Sequence, residues 1–339
     1  MAAAASISFG PLIGGYLVDD YSWHLIFDVN VPVGLAAILF AIFIQKEWRG
    51  ARAGSFDWPG FLCVVCFMPL LIFALARGNS PLNPEGWSSP EVIGCFAVAA
   101  AALIVFIVRE LRCENPLLNL KLLGERNFGV SMAVLAIFGI GMLGGTYLLP
   151  LYMQKGLGYT AIMAGSVFLP VGLIQGVLST CSGFLTRYIK PLFIAVTGIL
   201  VMTLSFYFAS RFTLHTTHAQ IMLVLYLRGF GMGLTFAPLN DFSLMNLSQR
   251  DMASAAGISN SIKQLSGSVS IALLTVILTG RTAFHSAQGG LSSAESYVAG
   301  ISDDFLFVTF VSLASALPFL WLLRPRRKAA SFKSEGTGT

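Results

Sequence analysis

The sequence has little charge for its length. Only 11% of its 339 residues are Asp, Glu, Lys or Arg, whereas 55% are apolar and the mean hydropathy is +0.76. Soluble chains carry about a quarter charged residues, because a water-facing surface needs them. This shortage excludes an ordinary soluble enzyme and a disordered chain. The net charge of +5 does not indicate nucleic acid as a partner, and the composition predicts an all-α polytopic membrane protein.

Residues that could hold a metal are also scarce. The five cysteines lie within or beside apolar runs, and none is flanked by the Cys or His partners that a zinc site needs. His215 and His218 share a short loop that contains no other candidate ligand. We therefore expect no metal site and no bound cofactor.

About ten apolar segments are long enough to cross a membrane as helices, which takes roughly 20 residues each. They lack the alternation of β-barrel strands, and a helix satisfies its own backbone polar groups in lipid. The predicted spans are residues 1–18, 23–44, 58–76, 92–108, 128–151, 162–185, 191–209, 219–237, 253–278 and 305–323.

Lys and Arg are concentrated in every second connection between these spans and in the C-terminal tail. The opposite connections contain only Arg77, Lys155, Arg211 and Arg281. By the positive-inside rule, this bias predicts a multi-pass plasma-membrane protein with a cytoplasmic C-terminus. The sequence opens inside an apolar helix, so we expect it to start partway through a larger protein. A signal peptide is the alternative, but no basic leader precedes the helix.

Three glycines and a proline form the strongest local motif. Gly10, Pro11, Gly14 and Gly15 fall in the first span, and Gly10 and Gly14 lie one helical turn apart. Small residues at this spacing let a neighbouring helix approach closely, and a proline bends its helix. Generic helix packing is the alternative interpretation.

With the residues that follow, this motif resembles the antiporter signature of the major facilitator superfamily, specifically the fourteen-helix drug:proton antiporters of EmrB/QacA type. There the signature ends Gly-Pro-x-x-Gly-Gly and the next helix reads Trp-x-x-x-Phe-x-x-Asn-x-Pro-x-Gly. The matching residues are Trp23, Phe27, Asn30, Pro32 and Gly34. Further matches occur in family order at residues 56–60, 115–120, 148–154, 165–170, 228–231 and 257–267. Ser6 and Thr186 depart from the family pattern, standing where it has Gly and often Asp.

The resemblance implies an MFS-type helical bundle with an incomplete N-terminal half that lacks its first four helices. Residues 1–44 would be the last two helices of that half, and 45–126 a linker with two extra transmembrane helices. Residues 127–324 would be the six-helix C-terminal half, and 325–339 a basic cytoplasmic tail. The implied function is proton-coupled efflux of drugs or other small molecules and not an enzyme activity. The proton gradient would supply the energy, the bilayer and the substrate would be the partners, and a periplasmic adaptor stays open.

Polar residues inside apolar spans are costly, so they indicate positions that face protein or a wet cavity. The candidates for lining a central cavity are Asn30, Gln154, Asn240, Asn260, Lys263 and Gln264. The candidates for charge coupling are Asp28, Arg228 and Lys263. Arg228 could instead bond backbone carbonyls of a neighbouring helix, and Asp28 could simply be interfacial. Because Asp28 and Asp241 lie near span ends, we find no carboxylate at mid-membrane to carry a proton.

Two other functions stay open at this stage. An integral membrane enzyme acting on lipids is one, although such enzymes place clusters of His and acidic residues at the interface. A non-transporting fragment is the other, because both halves build the path in this family. On that hypothesis the 339 residues alone do not move substrate.

Overall fold

The computed structural model describes residues 2–44, 57–78, 80, 82–113 and 116–322. The predicted basic tail at 325–339 lies outside these ranges, as does most of the first connection of the predicted linker. The described part is helical, without a strand. The helices are α1 (Ala2–Asp20), α2 (Leu25–Asp28), α3 (Asn30–Ile44), α4 (Trp58–Gly78), α5 (Pro90–Arg112), α6 (Arg126–Leu151), α7 (Ala161–Ser166), α8 (Leu169–Leu185), α9 (Pro191–Ala209), α10 (His218–Leu244), α11 (Met252–Ala287), α12 (Ser293–Ala314) and α13 (Leu317–Leu322).

Nine helical stretches of the described chain are long and apolar enough to cross a membrane. They are Leu25–Ile44, Trp58–Gly78, Pro90–Arg112, Arg126–Gly156, Ala161–Leu185, Pro191–Ala209, His218–Leu244, Met252–Ala287 and Ser293–Phe319. Each coincides with one of the last nine predicted spans. The first predicted span is occupied by the 19-residue helix α1, which is not among the nine. The prediction of an all-α, multi-pass membrane protein is confirmed.

Two predicted boundaries near the C-terminus are wrong. The last span was placed at 305–323, but α12 begins at Ser293, where Ser292 and Glu295 form a reciprocal capping box. The preceding span was ended at 278, but α11 continues to Ala287 and includes Arg281. Charged residues inside both helices interrupt the apolar pattern, so hydropathy alone ended the spans too early or started them too late.

The core of the molecule lies in the bundle from α6 to α13. α6 is largely buried and packs against α10, α11, α12 and α13, and α9 packs against α10 and α12. Fully buried aromatic side chains fill the space between these helices: Phe128, Phe138, Tyr152, Phe206 and Phe305. α1 packs against α7 and α8, whereas no residue of α3, all of which is described, is buried. α1 is therefore the part of the N-terminal segment that is anchored to the bundle.

Helices α4 and α5 form a pair that is joined at one end by a buried carboxylate. Asp57 accepts hydrogen bonds from Arg109 Nε at 2.7 Å and from the Gly60 backbone at 3.1 Å. The neighbouring Glu110 accepts from the Leu118 backbone at 3.0 Å. This end of the pair is thereby tied to the segment that leads into α6.

Candidate functional site

Helices α1 and α7 cross so closely that their backbones are in direct contact. An ideal Cβ atom on Gly15 would lie 2.5 Å from the carbonyl oxygen of Ala161, and one on Gly165 would overlap the carbonyl oxygen of Pro11. Real side chains do not tolerate such distances, so only glycine fits at both positions. The two helices thus meet through Gly15 of α1 and Gly165 of α7, and any larger residue would push them apart.

A carboxylate of α1 reinforces this crossing. Asp19 Oδ2 accepts a hydrogen bond of 2.7 Å from the backbone N–H of Ile162, in the first turn of α7. Thr160 caps the same turn by accepting from the N–H of Met163 at 3.2 Å. The first N–H groups of a helix have no partner within it, so Asp19 supplies one from another helix. The sequence analysis did not single out Asp19, and it included Gly165 only in a family match, at residues 165–170, with no role in helix contact.

Gly10 and Gly14 do not make the close approach that their spacing predicts. An ideal Cβ on either would meet no atom within 4 Å in the described part of the chain. The contact face of α1 is instead the one that carries Pro11 and Gly15. Gly14 and Gly15 both line a cavity of about 320 Å³ beside the crossing. Gln154 lines the same cavity, because it lies in the π-helical turn Tyr152–Gly156 that follows α6.

Two further candidates share a smaller cavity between α6, α10 and α11. Asn240 and Lys263 both line this space of about 20 Å³, which is room for about one water molecule. The Lys263 Nζ lies 5.9 Å from the centre of the Phe236 ring, a cation–π contact. Since α10 ends and α11 begins nearby, this cavity lies toward the opposite end of the bundle from the α1–α7 crossing.

The other predicted residues lie outside both cavities. Asn30 is exposed, and its side chain donates to the carbonyl of Ile26 on its own turn at 2.9 Å. Asp28, Asn260 and Gln264 are exposed as well. The structure therefore groups Gln154 with the glycine motif and Asn240 with Lys263, and it does not bring the six cavity candidates to one place.

Arg228 is held by the neighbouring helix α6. It is only 2% exposed, and its Nη2 donates to the carbonyl of Met142 at 3.0 Å and to the hydroxyl of Thr146. Its Nη1 is buried without a hydrogen-bond partner and would lie 3.1 Å from a Cβ on Gly145. Among the described residues, no carboxylate pairs with this guanidinium. These hydrogen bonds connect α10 to α6, as expected if Arg228 bonds the backbone of a neighbouring helix.

The sequence analysis did not identify two carboxylates of α12, Asp303 and Asp304. Asp303 Oδ2 accepts from Arg281 Nε at 2.6 Å and lies 2.8 Å from His285 Nε2, so it joins α12 to α11. Asp304 is fully buried. The statement that no carboxylate lies deep in a span is therefore wrong. The motif Ser292-x-x-Glu295 could have shown where α12 begins, and hence that both acids lie inside it.

These features define a multi-pass helical membrane protein whose first helix docks on a C-terminal helical bundle through a glycine contact. The sequence model of the Major Facilitator Superfamily matches residues 1–271 of the chain. The chain belongs to this superfamily.

Relatives within the superfamily include drug exporters. Over 280 residues the chain is 31% identical to an uncharacterised MFS-type transporter, YhcA, of Bacillus subtilis, covering 82% of this chain and 52% of that protein. It is 30% identical to the multidrug export protein EmrB of Escherichia coli K12, covering 82% and 54%. It is 28% identical to the puromycin resistance protein pur8 of Streptomyces alboniger, covering 95% and 64%. The chain thus spans about half the length of the first two relatives.

Proposed function

We propose that this chain forms part of a secondary transporter that expels small apolar or charged compounds in exchange for protons. The transporter works by alternating access in the plasma membrane, with the C-terminus of the chain in the cytoplasm. The names of the relatives EmrB and pur8 support drugs as cargo. The concentration of Lys and Arg in alternate connections and in the tail supports the orientation.

The observation that carries this proposal is the crossing of α1 and α7. Alternating access needs two bodies that touch at one face of the membrane and part when that face opens. The crossing joins a helix of the N-terminal segment to the bundle through close backbone contacts at Gly15 and Gly165. Among the described residues, α1 and α7 share one hydrogen bond between a side chain and the backbone, donated by the N–H of Ile162 to Asp19. This bond has to break when the two helices separate. Such a contact is tight but can open and close again.

Lys263 and Asn240 are the groups that we expect to meet cargo. Both line the cavity between α6, α10 and α11. A cation held there repels cationic cargo and favours neutral or anionic compounds. Replacing Lys263 with Gln removes the charge and leaves a polar side chain, so it should shift the charge preference of export.

Deletion of the gene in its own host tests the proposal. Accumulation of a panel of neutral, anionic and cationic hydrophobic dyes is measured before and after adding a proton uncoupler. We expect deletion to raise accumulation of some dyes, the wild-type gene to restore it, and Lys263→Gln to restore it with an altered charge preference. Unchanged accumulation of every dye on deletion would overturn export. Export that persists with the uncoupler would overturn proton coupling alone.

A further inference from the structure

Asp304 is a carboxyl group enclosed near the midpoint of the 22-residue helix α12. Its exposure is 0%, and neither carboxyl oxygen has a hydrogen-bond partner in the part of the chain that the structure describes. Burying an ionised carboxylate without partners costs several kcal/mol or more, and such a group takes up a proton instead. The surroundings of Asp304 therefore favour the neutral acid.

Two buried hydroxyls lie in line with this carboxyl group. Ser296 lies two turns earlier on α12, and its Oγ is buried without a partner. Between them is Gly300, where an ideal Cβ would lie 2.6 Å from Thr282 Oγ1, which is likewise buried and unpartnered. Positions 296, 300 and 304 share one helix face, over about 12 Å.

A cleft opens near the beginning of α12, beside Glu295, although Ser296, Thr282 and Asp304 are not among the residues that line it. The cleft has a volume of about 580 Å³ and is lined by Glu295, His285 and Asp303, among others. The charge bias of the connections places this end of α12 outside the cell. Buried polar atoms pair with protein groups or with ordered water, so the unpartnered hydroxyls of Ser296 and Thr282 are suited to hold water between this end of α12 and Asp304.

The titratable side chains on the outer parts of the neighbouring helices have partners different from Asp304. The contacts are Tyr147 Oη with Thr275 Oγ1 (3.2 Å), Tyr152 Oη with the Thr213 carbonyl (2.7 Å), Arg211 with the Tyr207 hydroxyl (3.1 Å), Lys155 with the face of the Tyr297 ring (6.0 Å), and Arg281 and His285 with Asp303. The groups that act electrostatically on Asp304 or feel its charge are Asp303 and Tyr297 of its own helix. Since no cation of the described residues pairs with Asp304, its ionised form has no stabilising partner among them.

We propose that Asp304 is a proton-binding site filled from the outer face through the hydroxyls of Ser296 and Thr282. Binding forms an O–H bond on one carboxyl oxygen with a proton taken from outer water, and release returns the proton and leaves the carboxylate. Release requires a conformation in which Asp304 meets water or a cation. The role of this site in transport rests on the proposed exchange for protons, but the binding of the proton does not.

Infrared spectroscopy of the full chain in lipid nanodiscs tests the binding directly, without substrate. We expect the carbonyl band of a protonated, buried carboxylic acid at neutral pH, lost only under alkaline conditions. Asp304→Asn should abolish this band and keep the thermal stability, because the amide imitates the neutral acid in shape and charge. Asp303→Asn, the matched control, should keep the band. Absence of the band in the wild type, or its survival in Asp304→Asn, would overturn the proposal.

The path is tested by exchange in deuterated buffer. We expect Thr282→Val, which removes the hydroxyl and keeps the shape, to slow the hydrogen–deuterium shift of the Asp304 band, and Thr275→Val to leave its rate unchanged. Equal rates in the two variants would overturn the role of the hydroxyls. A titrating Asp304 in a chain whose gene deletion leaves dye accumulation unchanged would refute the proposed function while the proton site stands.

Discussion

The crossing of α1 and α7 can be tested with two adjacent glycines of one helix. We expect Gly15→Ala to weaken the crossing and Gly14→Ala to leave it intact. The new methyl group lies 2.5 Å from the Ala161 carbonyl oxygen in the first variant, and it meets no atom of the described chain within 4 Å in the second. The two variants therefore differ in packing and share the same change in helix propensity.

The size of the effect follows from two terms. Replacing Gly by Ala inside a helix stabilises it by about 1 kcal/mol in both variants. Overpacking at Gly15 costs about 1–3 kcal/mol. Because the helix term cancels between the variants, their difference is the packing term. A difference of about 1–3 kcal/mol makes the ratio of separated to closed helices roughly 5–150 times larger in Gly15→Ala.

Labelling of a buried cysteine measures this ratio. Ala164 is 2% exposed and lines the cavity beside the crossing, so a cysteine there reacts when α1 and α7 separate. In right-side-out vesicles, with the five native cysteines replaced by alanine, an impermeant maleimide should label Ala164→Cys faster in the Gly15→Ala background. Equal labelling in both backgrounds, or faster labelling with Gly14→Ala, would show that the glycine contact does not control separation.

Two further predictions concern charged groups that hold helices together. We expect Arg228→Met to keep or raise thermal stability in detergent, because an unpaired buried charge is costly, and Thr146→Val to lower the stability by about 1.5–3 kcal/mol by removing a hydrogen-bond partner of that charge. A lower stability of Arg228→Met than of Thr146→Val would show that the contacts of Arg228 outweigh the cost of burying its charge. Burial raises the pKa of Asp57, but hydrogen bonds from Arg109 and the Gly60 backbone outweigh it and hold the pKa below its ordinary value. A lowered pKa stabilises the fold above the unfolded-state value of about 3.9, and this contribution disappears as the pH falls through the folded-state pKa. Wild type should thus unfold at a higher temperature than Asp57→Asn at neutral pH and lose that advantage in acid, and a constant difference across this range would refute the assignment.

Composition was enough to predict the class of fold, because the apolar spans themselves are the signal. It was not enough to predict which face of α1 touches the bundle. Gly10 and Gly14 share one face, and Pro11 and Gly15 share the next, since both pairs are four residues apart. Which pair contacts α7 depends on the rotation of α1 against α7, and the contact is made with Gly165, some 150 residues away.

The structure likewise brings together only some of the residues predicted to line a central cavity. Lys263 and Asn240 come together because α10 and α11 are long helices whose ends meet beside α6, and the sequence contains both helices in full. Gln154 was predicted for the same cavity but lies elsewhere, because a π-helical turn after Pro150 carries it toward α1. A proline within a helix signals that the backbone will deviate, but it does not tell in which direction.

The same π-helical turn lies between the α1–α7 crossing and the helix that carries Asp304. Within the turn, Gln154 lines the cavity beside the α1–α7 crossing, and the next residue, Lys155, lies over the ring of Tyr297 on α12. Tyr297 lies on the same helix as Asp304, two turns nearer its start. Such turns are a rare and less regular form of helix, and they occur often at functional sites. The turn thus contacts both the cavity beside the α1–α7 crossing and helix α12, which carries Asp304.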